Sequence, residues 1–127
     1  MKITSFNPLI LTKDSESAIT LFEELGFERR HRITVNSSGK DITTVRMKNE
    51  GGFYVDISQV DSMPQDMTLI RMNVDNFDEA YDYLKSKGFV NSKADESTVD
   101  TKSNRSCMMK SPSGFAFDLC QHIKDHD

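Results

Sequence analysis

The 127-residue sequence lacks any apolar run approaching the roughly 20 residues that a helix needs to cross a bilayer. Its first residues, Met1 to Ser5, have neither the hydrophobic stretch nor the cleavage site of a signal peptide. It also lacks a glycine-rich phosphate loop, a CxxC pair and an HExxH helix. We therefore expect no membrane partner, and because these three motifs are absent, the sequence does not indicate the catalytic centres that they mark.

Cysteine is scarce, with only Cys107 and Cys120, which stand in separate apolar runs. If those runs pair as a hairpin around Ser111 to Gly114, Cys107 lies across from about Asp118, so a disulfide between the cysteines is geometrically awkward. We expect two reduced, buried thiols in a cytoplasmic protein and not a secreted disulfide scaffold.

The chain has no excess of basic charge, because 16 Lys and Arg residues face 20 Asp and Glu residues, a net charge of −4. This balance argues against nucleic acid as a partner, and an acidic surface favours cationic ligands. The hydrophobic fraction of 36% is ordinary for a globular protein, and the length fits a single domain, residues 1–127, with its own core.

What the sequence does contain is an internal repeat, since it matches itself without a gap when shifted by 62 positions. The glycines stay in step: Gly26-Phe27 falls on Gly88-Phe89, and Gly52-Phe53 falls on Gly114-Phe115. We predict two copies of one supersecondary unit, module one at about residues 1–62 and module two at about 63–124.

Each module is predicted to be a strand, a helix and three further strands. Asp14 caps the first helix and Asp75 or Asn76 the second, and Gly26 and Gly88 lie just past the helix ends. The predicted strands include Ile3 to Thr12, Ile42 to Lys48 and Phe53 to Val60 in module one, and Met67 to Val74, Ser103 to Lys110 and Phe115 to Ile123 in module two.

Two stretches carry a resemblance to a known family. The run from Leu11 to Asp14, with Leu25-Gly26-Phe27 at the helix end, is similar to the strand, capped helix and LGF ending of the vicinal oxygen chelate superfamily. The run from Lys110 to Leu119 is similar to the DPDGNxxEL hairpin of the same superfamily, with serine in place of both acids. The sequence thus resembles the glyoxalase, bleomycin resistance protein and extradiol dioxygenase group over nearly its whole length.

This resemblance implies an α+β fold, with two tandem βαβββ modules forming a cupped mixed sheet and the helices on its outer face. It also implies a homodimer. Metal-using members carry one ligand on the first strand and one on the last strand of each module. Those positions are Asn7 and Asp56 in module one, and Leu69 and Asp118 in module two.

That residue set is a poor metal site, because Leu69 has no donor atom and Asn7 offers only a neutral amide oxygen. We therefore expect no metal cofactor. Asn7, Asp56 and Asp118 remain the weak candidates for holding a hard cation such as Mg²⁺ or Ca²⁺. The alternative is that the two aspartates pair with arginines or hydrogen-bond across the cup.

Strand alternation predicts which side chains line the cup. They are Asn7, Leu9, Arg46, Tyr54, Asp56, Leu69, Arg71, Met108 and Asp118. Apolar walls with a few polar groups are typical of ligand pockets, and two inward-facing arginines could clamp a carboxylate or phosphate. The alternative is that each arginine satisfies the charge of a buried aspartate.

The run Arg29-Arg30-His31-Arg32 is basic and lies in a predicted strand. It is either an anion or partner site or, as we favour, a set of solvated charges on an edge strand that discourage aggregation.

The resulting functional hypothesis is a protein that binds a small molecule in its cup without a metal. The alternative is a metal-dependent lyase, isomerase or dioxygenase of the glyoxalase type, and a third reading is a partly filled cup with a role in interaction or regulation. Whether the chain is an enzyme stays open, because no Ser-His-Asp or Cys-His arrangement follows from the spacing.

Overall fold

The computed structural model of the protein describes residues 1–37, 39–101 and 104–122. Its elements follow the predicted order of strand, helix and strands twice over, which confirms the α+β class with two βαβββ modules. In module one they are β1 (Ile3–Thr12), α1 (Ser15–Glu24), β2 (Phe27–Ser37), β3 (Lys40–Asn49) and β4 (Tyr54–Gln59). In module two they are β5 (Met67–Val74), α2 (Phe77–Ser86), β6 (Val90–Asn91), β7 (Val99–Asp100), β8 (Asn104–Lys110) and β9 (Ala116–His122).

The strand limits differ little from those predicted, and module two carries one short extra strand, β7. The predicted strand ends Ser103 and Ile123 and the tail from Lys124 to Asp127 lie outside the described residues. No helix in the described part of the chain is long and apolar enough to cross a membrane.

Backbone contacts divide the chain into two compact units. One consists of residues 7–68, in which the strand order is β2-β3-β4-β1, with β1 parallel to β4 and the other neighbours antiparallel. The other consists of residues 1–6 together with residues from 69 onward. Its order is β5-β9-β8-β6, with β5 parallel to β9 and β7 beside β8. Each unit therefore holds a mixed sheet.

The start of the chain belongs to the second of these units. The backbone N–H of Asp75 donates to the carbonyl of Lys2, and the Lys2 N–H donates to the Asp75 side chain at 2.6 Å. Strand β1 is thus shared, because its first residues group with β5 and its remainder with β4.

Both helices begin in the same way. Asp14 accepts from the Ser17 N–H at 3.1 Å, and Asn76 accepts from the Glu79 N–H at 3.1 Å, so each side chain satisfies a backbone donor of the first helical turn. Of the two caps considered for the second helix, Asn76 is the one observed.

A glutamine near the end of each module's last strand also holds the start of that module's helix. Gln59 accepts from the Ser15 N–H at 2.9 Å, and Gln121 accepts from the Phe77 N–H at 2.5 Å. These two glutamines are repeat mates, as are Ser15 and Phe77. The repeat therefore reproduces a tertiary hydrogen bond as well as a strand order.

Each helix packs on one face of its own sheet. In module one, Ile19 of α1 is buried among strand residues whose side chains alternate toward it: Val45, Met47, Val55 and Ile57. In module two, Phe77, Ala80 and Leu84 of α2 meet a second set: Met72, Val74, Cys107, Met109 and Leu119. The opposite sheet faces thereby carry the alternate side chains of the strands, among which are the polar ones.

The two helix-ending glycines provide a matched test of backbone strain. Both have positive φ, +101° at Gly26 and +93° at Gly88. A Cβ at Gly26 would meet nothing within 4 Å, whereas a Cβ at Gly88 would lie 2.9 Å from Pro112 Cγ. We expect Gly26→Ala to lower the free energy of unfolding by about 1–2 kcal/mol through strain alone. Gly88→Ala should cost more, because the proline ring must also move.

Urea denaturation followed by circular dichroism measures both values. Equal losses for the two variants would contradict the predicted contact with Pro112.

Candidate functional site

The polar face of module one is set by strand pairing. Asp56 on β4 lies opposite Leu9 on β1 and opposite Arg46 on β3, so these three side chains share the sheet face that points away from α1. Asn7 and Tyr54 lie two residues before Leu9 and Asp56 on the same strands, and so join that face. The five side chains predicted to line the cup in module one therefore do lie on one surface.

An ion pair stands at the centre of this face. Arg46 Nε donates to Asp56 Oδ1 at 2.9 Å, and Arg46 Nη2 donates to Asp56 Oδ2 at 3.0 Å. Asn7 completes the cluster, because its Nδ2 donates to Asp56 Oδ2 at 2.9 Å and its Oδ1 accepts from Arg46 Nη2 at 3.0 Å. The sequence left Asp56 either as a candidate metal ligand or as a side chain that pairs with an arginine or hydrogen-bonds across the cup. The observed geometry is that of a pair with an arginine.

The burial of this cluster makes the pairing obligatory. Asp56 is 0% exposed and Asn7 is 6% exposed, while the Arg46 side chain keeps 24% exposure. An ionised carboxylate taken out of water needs a partner and hydrogen bonds to all its oxygens, and here it has both. The parallel two-point geometry is the strongest form of such a pair.

Tyr54 lies against the same guanidinium. The Arg46 Cζ atom stands 4.8 Å from the centre of the Tyr54 ring, and the Lys48 ammonium stands 5.3 Å from it. Both distances are within the range of cation–π attraction. Lys48 is opposite Tyr54 in the β3–β4 register, so strand alternation alone could have added it to the predicted set.

Module two presents the corresponding face of its own sheet. Asp118 on β9 lies opposite Arg71 on β5 and opposite Met108 on β8, and Leu69 precedes Arg71 by two residues. Arg71 Nε lies 3.7 Å from Asp118 Oδ2. The four predicted residues of module two thus also share one surface.

The two modules take their arginines from different strands. In the repeat, Arg46 corresponds to Met108 and Leu9 corresponds to Arg71. Each aspartate therefore has an arginine beside it, supplied by the antiparallel neighbour in module one and by the parallel neighbour in module two.

Asn73 is a polar residue of this surface that sequence reasoning left out of the candidate site. It lies opposite Cys120 and is 2% exposed. Its Nδ2 donates to Ser5 Oγ at 2.6 Å, while its Oδ1 has no hydrogen-bond partner within the described ranges. Its repeat mate is the apolar Leu11. An amide at a position where the other module has leucine was the sequence feature that could have identified Asn73.

The cysteines are separate and unreactive. Cys107 lies opposite Leu119, and Met108 takes the place opposite Asp118, so the predicted register was wrong by one residue. Cys107 consequently packs in the core under α2, whereas Cys120 lies on the other face, and both are free thiols. Burial raises the pKa of Cys107 to about 12 and raises the pKa of Cys120, and the Asp118 carboxylate adds to both shifts. Neither thiol supplies a nucleophile near neutral pH.

The donor set does not fit a divalent metal. Both oxygens of Asp56 already accept hydrogen bonds from Arg46 and Asn7, so the carboxylate is paired with the Arg46 guanidinium. Leu69 offers no donor, and residues 1–37, 39–101 and 104–122 contain no group of three or more His, Cys, Asp or Glu side chains arranged to hold a metal ion.

The basic run of β2 lies at the edge of the sheet in its unit. Its register with β3 shifts between Arg29 and His31, and both Arg29 and Arg30 lie near acidic side chains. Arg29 lies 3.4 Å from both Glu16 and Glu23, and Arg30 lies 3.9 Å from Glu28. His31 is opposite Arg46 in the β2–β3 register, so its side chain lies on the polar face of module one.

No family model and no curated protein sequence matches the chain. Solved structures do match it. Methylmalonyl-CoA epimerase aligns over 93% of this chain and 94% of its own, with a TM-score of 0.66 and 19% identity. A glyoxalase/bleomycin resistance protein/dioxygenase superfamily member from Vibrio splendidus aligns over 96% and 100%, with a TM-score of 0.59 and 17% identity.

A point mutant of glyoxalase I from Zea mays aligns over 98% of this chain, with a TM-score of 0.66 and 13% identity, although the chain covers only 45% of that protein. At such identities the likeness establishes the fold alone. The protein has the vicinal oxygen chelate fold that the sequence motifs led us to expect.

The Arg46–Asp56 pair should be necessary for stability. We expect Arg46→Met, which introduces the residue found at the repeat position, to lower the free energy of unfolding by about 3–5 kcal/mol, because it removes both guanidinium hydrogen bonds from a buried carboxylate. Adding Asp56→Asn should restore part of that loss. Arg29→Met is the control, since its pairs are exposed and should contribute about 1 kcal/mol or less.

Urea denaturation of the four proteins gives the comparison. A loss for Arg46→Met no larger than that for Arg29→Met would show that the pair contributes little.

The amide oxygen of Asn73, which accepts no hydrogen bond from residues 1–37, 39–101 or 104–122, leads to the opposite expectation. We expect Asn73→Leu to raise the free energy of unfolding by about 1 kcal/mol, because it removes a buried acceptor that lacks a hydrogen bond. Ser5→Ala should lower stability, because it deprives the Asn73 Nδ2 of its acceptor. Thermal unfolding by calorimetry distinguishes the two, and a loss of stability in Asn73→Leu would mean that a buried water holds the oxygen.

Proposed function

We propose that the protein binds a small organic molecule on the polar sheet face of its modules, and that it does so without a divalent metal ion. The observation that carries this proposal is the Arg46–Asp56–Asn7 cluster, because Asn7 and Asp56 stand at positions where the resemblance implies metal ligands and both hydrogen-bond to Arg46 instead. A guanidinium there supplies the positive charge that a metal would otherwise bring.

The composition of the face supports binding. Leucines (Leu9, Leu11), an aromatic ring (Tyr54) and a small number of fixed polar groups occur together in module one, which is the mixture typical of ligand sites. The ion pair costs no reorganisation when a ligand arrives, because its hydrogen bonds are already formed.

The expected assembly and compartment follow from the resemblance and from the two free thiols. We propose a cytoplasmic homodimer that takes a small-molecule ligand. Sedimentation equilibrium measures the mass directly, and a monomer at micromolar concentration would contradict the dimer.

The metal-free state can be tested on protein purified without chelators or metal-affinity resin. We expect elemental analysis to find no stoichiometric metal, and Zn²⁺, Ni²⁺, Mn²⁺ and Mg²⁺ to leave the melting temperature unchanged, since an ion that binds only the native state must raise it. Asp56→Asn, confirmed as folded by circular dichroism, is the matched variant.

Stoichiometric metal with a rise in melting temperature that Asp56→Asn abolishes would contradict the proposal. It would instead favour a metal-dependent lyase, isomerase or dioxygenase with Asn7, Asp56 and Asp118 as candidate ligands.

A further inference from the structure

The guanidinium of Arg46 is only partly used by the ion pair. Its Nε–H and both Nη2 hydrogens are directed at Asp56 and Asn7. Within the part of the chain that the structure describes, Nη1 makes no hydrogen bond, and the side chain is 24% exposed. Arg46 is therefore held rigidly by one edge while Nη1 retains two donors for another molecule.

Two further basic side chains surround this point on the same sheet face. Lys48 follows Arg46 by two residues on β3, and His31 lies opposite Arg46 on β2. Tyr54 lies within cation–π distance of both Arg46 and Lys48, so one ring brings the two cations together. We call Arg46, Lys48, His31 and Tyr54 the basic cluster.

The acids nearby do not cancel this charge. Asp56 is fully buried and carries a single negative charge, which it directs at Arg46, so the charge of Lys48 is not balanced by it. Glu28 is opposite Lys48 in the register, but its side chain is 75% exposed and its carboxylate lies 3.9 Å from Arg30. The net charge of −4 matters little at this point, because charges farther away than the Debye length of about 8 Å are screened at physiological salt.

We propose that the basic cluster binds the anionic group of a small organic ligand, a carboxylate or a phosphate monoester. This inference rests on the proposed function and names the ligand class for module one. Arg46 Nη1 donates one charge-assisted hydrogen bond, since Nη2 is committed to the protein and a two-point grip is unavailable. Lys48 adds a mobile point charge, His31 adds a ring N–H donor, and Tyr54 offers an apolar surface to the organic part of the ligand.

The test uses nuclear magnetic resonance with four matched aromatic probes: phenyl phosphate, benzoate, benzyl alcohol and benzylamine. We expect the two anions to shift the Arg46 Nε–Hε signal and the backbone amides of Lys48 and Tyr54. The neutral and cationic probes should leave these signals in place. Salt should weaken the binding of the anions, because each contact is electrostatic.

Two variants of the basic cluster, at the half-buried Lys48 and the exposed His31, show whether it is responsible. We expect Lys48→Met and His31→Gln each to weaken phenyl phosphate binding about three- to tenfold without changing the fold. Lys87→Met is the control, since the Lys87 ammonium lies 5.5 Å from the Tyr83 ring on α2 and repeats the lysine–tyrosine contact with no arginine involved. This control should bind phenyl phosphate as the wild type does.

The outcomes separate the inference from the proposed function. Equal weakening by Lys48→Met and Lys87→Met, or anion shifts confined to the backbone of Arg29, Arg30 and Arg32, would overturn the anion site. Binding of benzyl alcohol or benzylamine on this face without binding of the anions would also overturn it, while leaving a small-molecule function in place. If no probe shifts any signal of either sheet face, both the inference and the proposed function fail.

Discussion

The buried carboxylate of Asp56 is the constraint on which module one depends. A charge with no exposure to water has to be neutralised within the fold, and the sequence meets this requirement with the two-point contact from Arg46 and the amide of Asn7. Two consequences follow from that one requirement: both carboxylate oxygens are engaged, and the guanidinium is immobilised beside Tyr54. The anion binding proposed for this face uses Nη1, because Nε and Nη2 already donate to Asp56 and Asn7.

The two modules share the hydrogen bonds and glycines that support their helices, but they differ in the side chains of their polar sheet faces. Gln59 and Gln121 make the same hydrogen bond to the start of their helices, and Gly26 and Gly88 end those helices with the same positive φ. These are requirements of the backbone, which any copy of the unit must satisfy. The polar faces carry no such requirement beyond charge balance, so module two has its arginine on another strand and carries a buried amide, Asn73, where module one has Leu11.

Much of the fold could be predicted from the chain because its signals are local. Strand alternation placed Asp56 on the sheet face opposite the helix, and the caps and helix-ending glycines lay where the pattern put them. The hairpin of module two was misjudged by one residue. The Ser111 N–H donates to the Phe115 carbonyl, which sets Cys107 opposite Leu119, and the geometry of that turn depends on backbone hydrogen bonds that residue types do not specify.

By itself the sequence determined the class of fold, the two modules and the face on which each candidate side chain lies, because hydrophobic periodicity and turn chemistry act over a few residues. It determined that arginines and aspartates share those faces. Only the tertiary structure decided how they combine, since Arg46 and Asn7 reach Asp56 from two different strands and a pairing over such separations depends on register and burial. The same structure singled out Asn73 and the partly used guanidinium of Arg46, because a hydrogen bond that is missing among the described residues is visible only once their side chains are placed together.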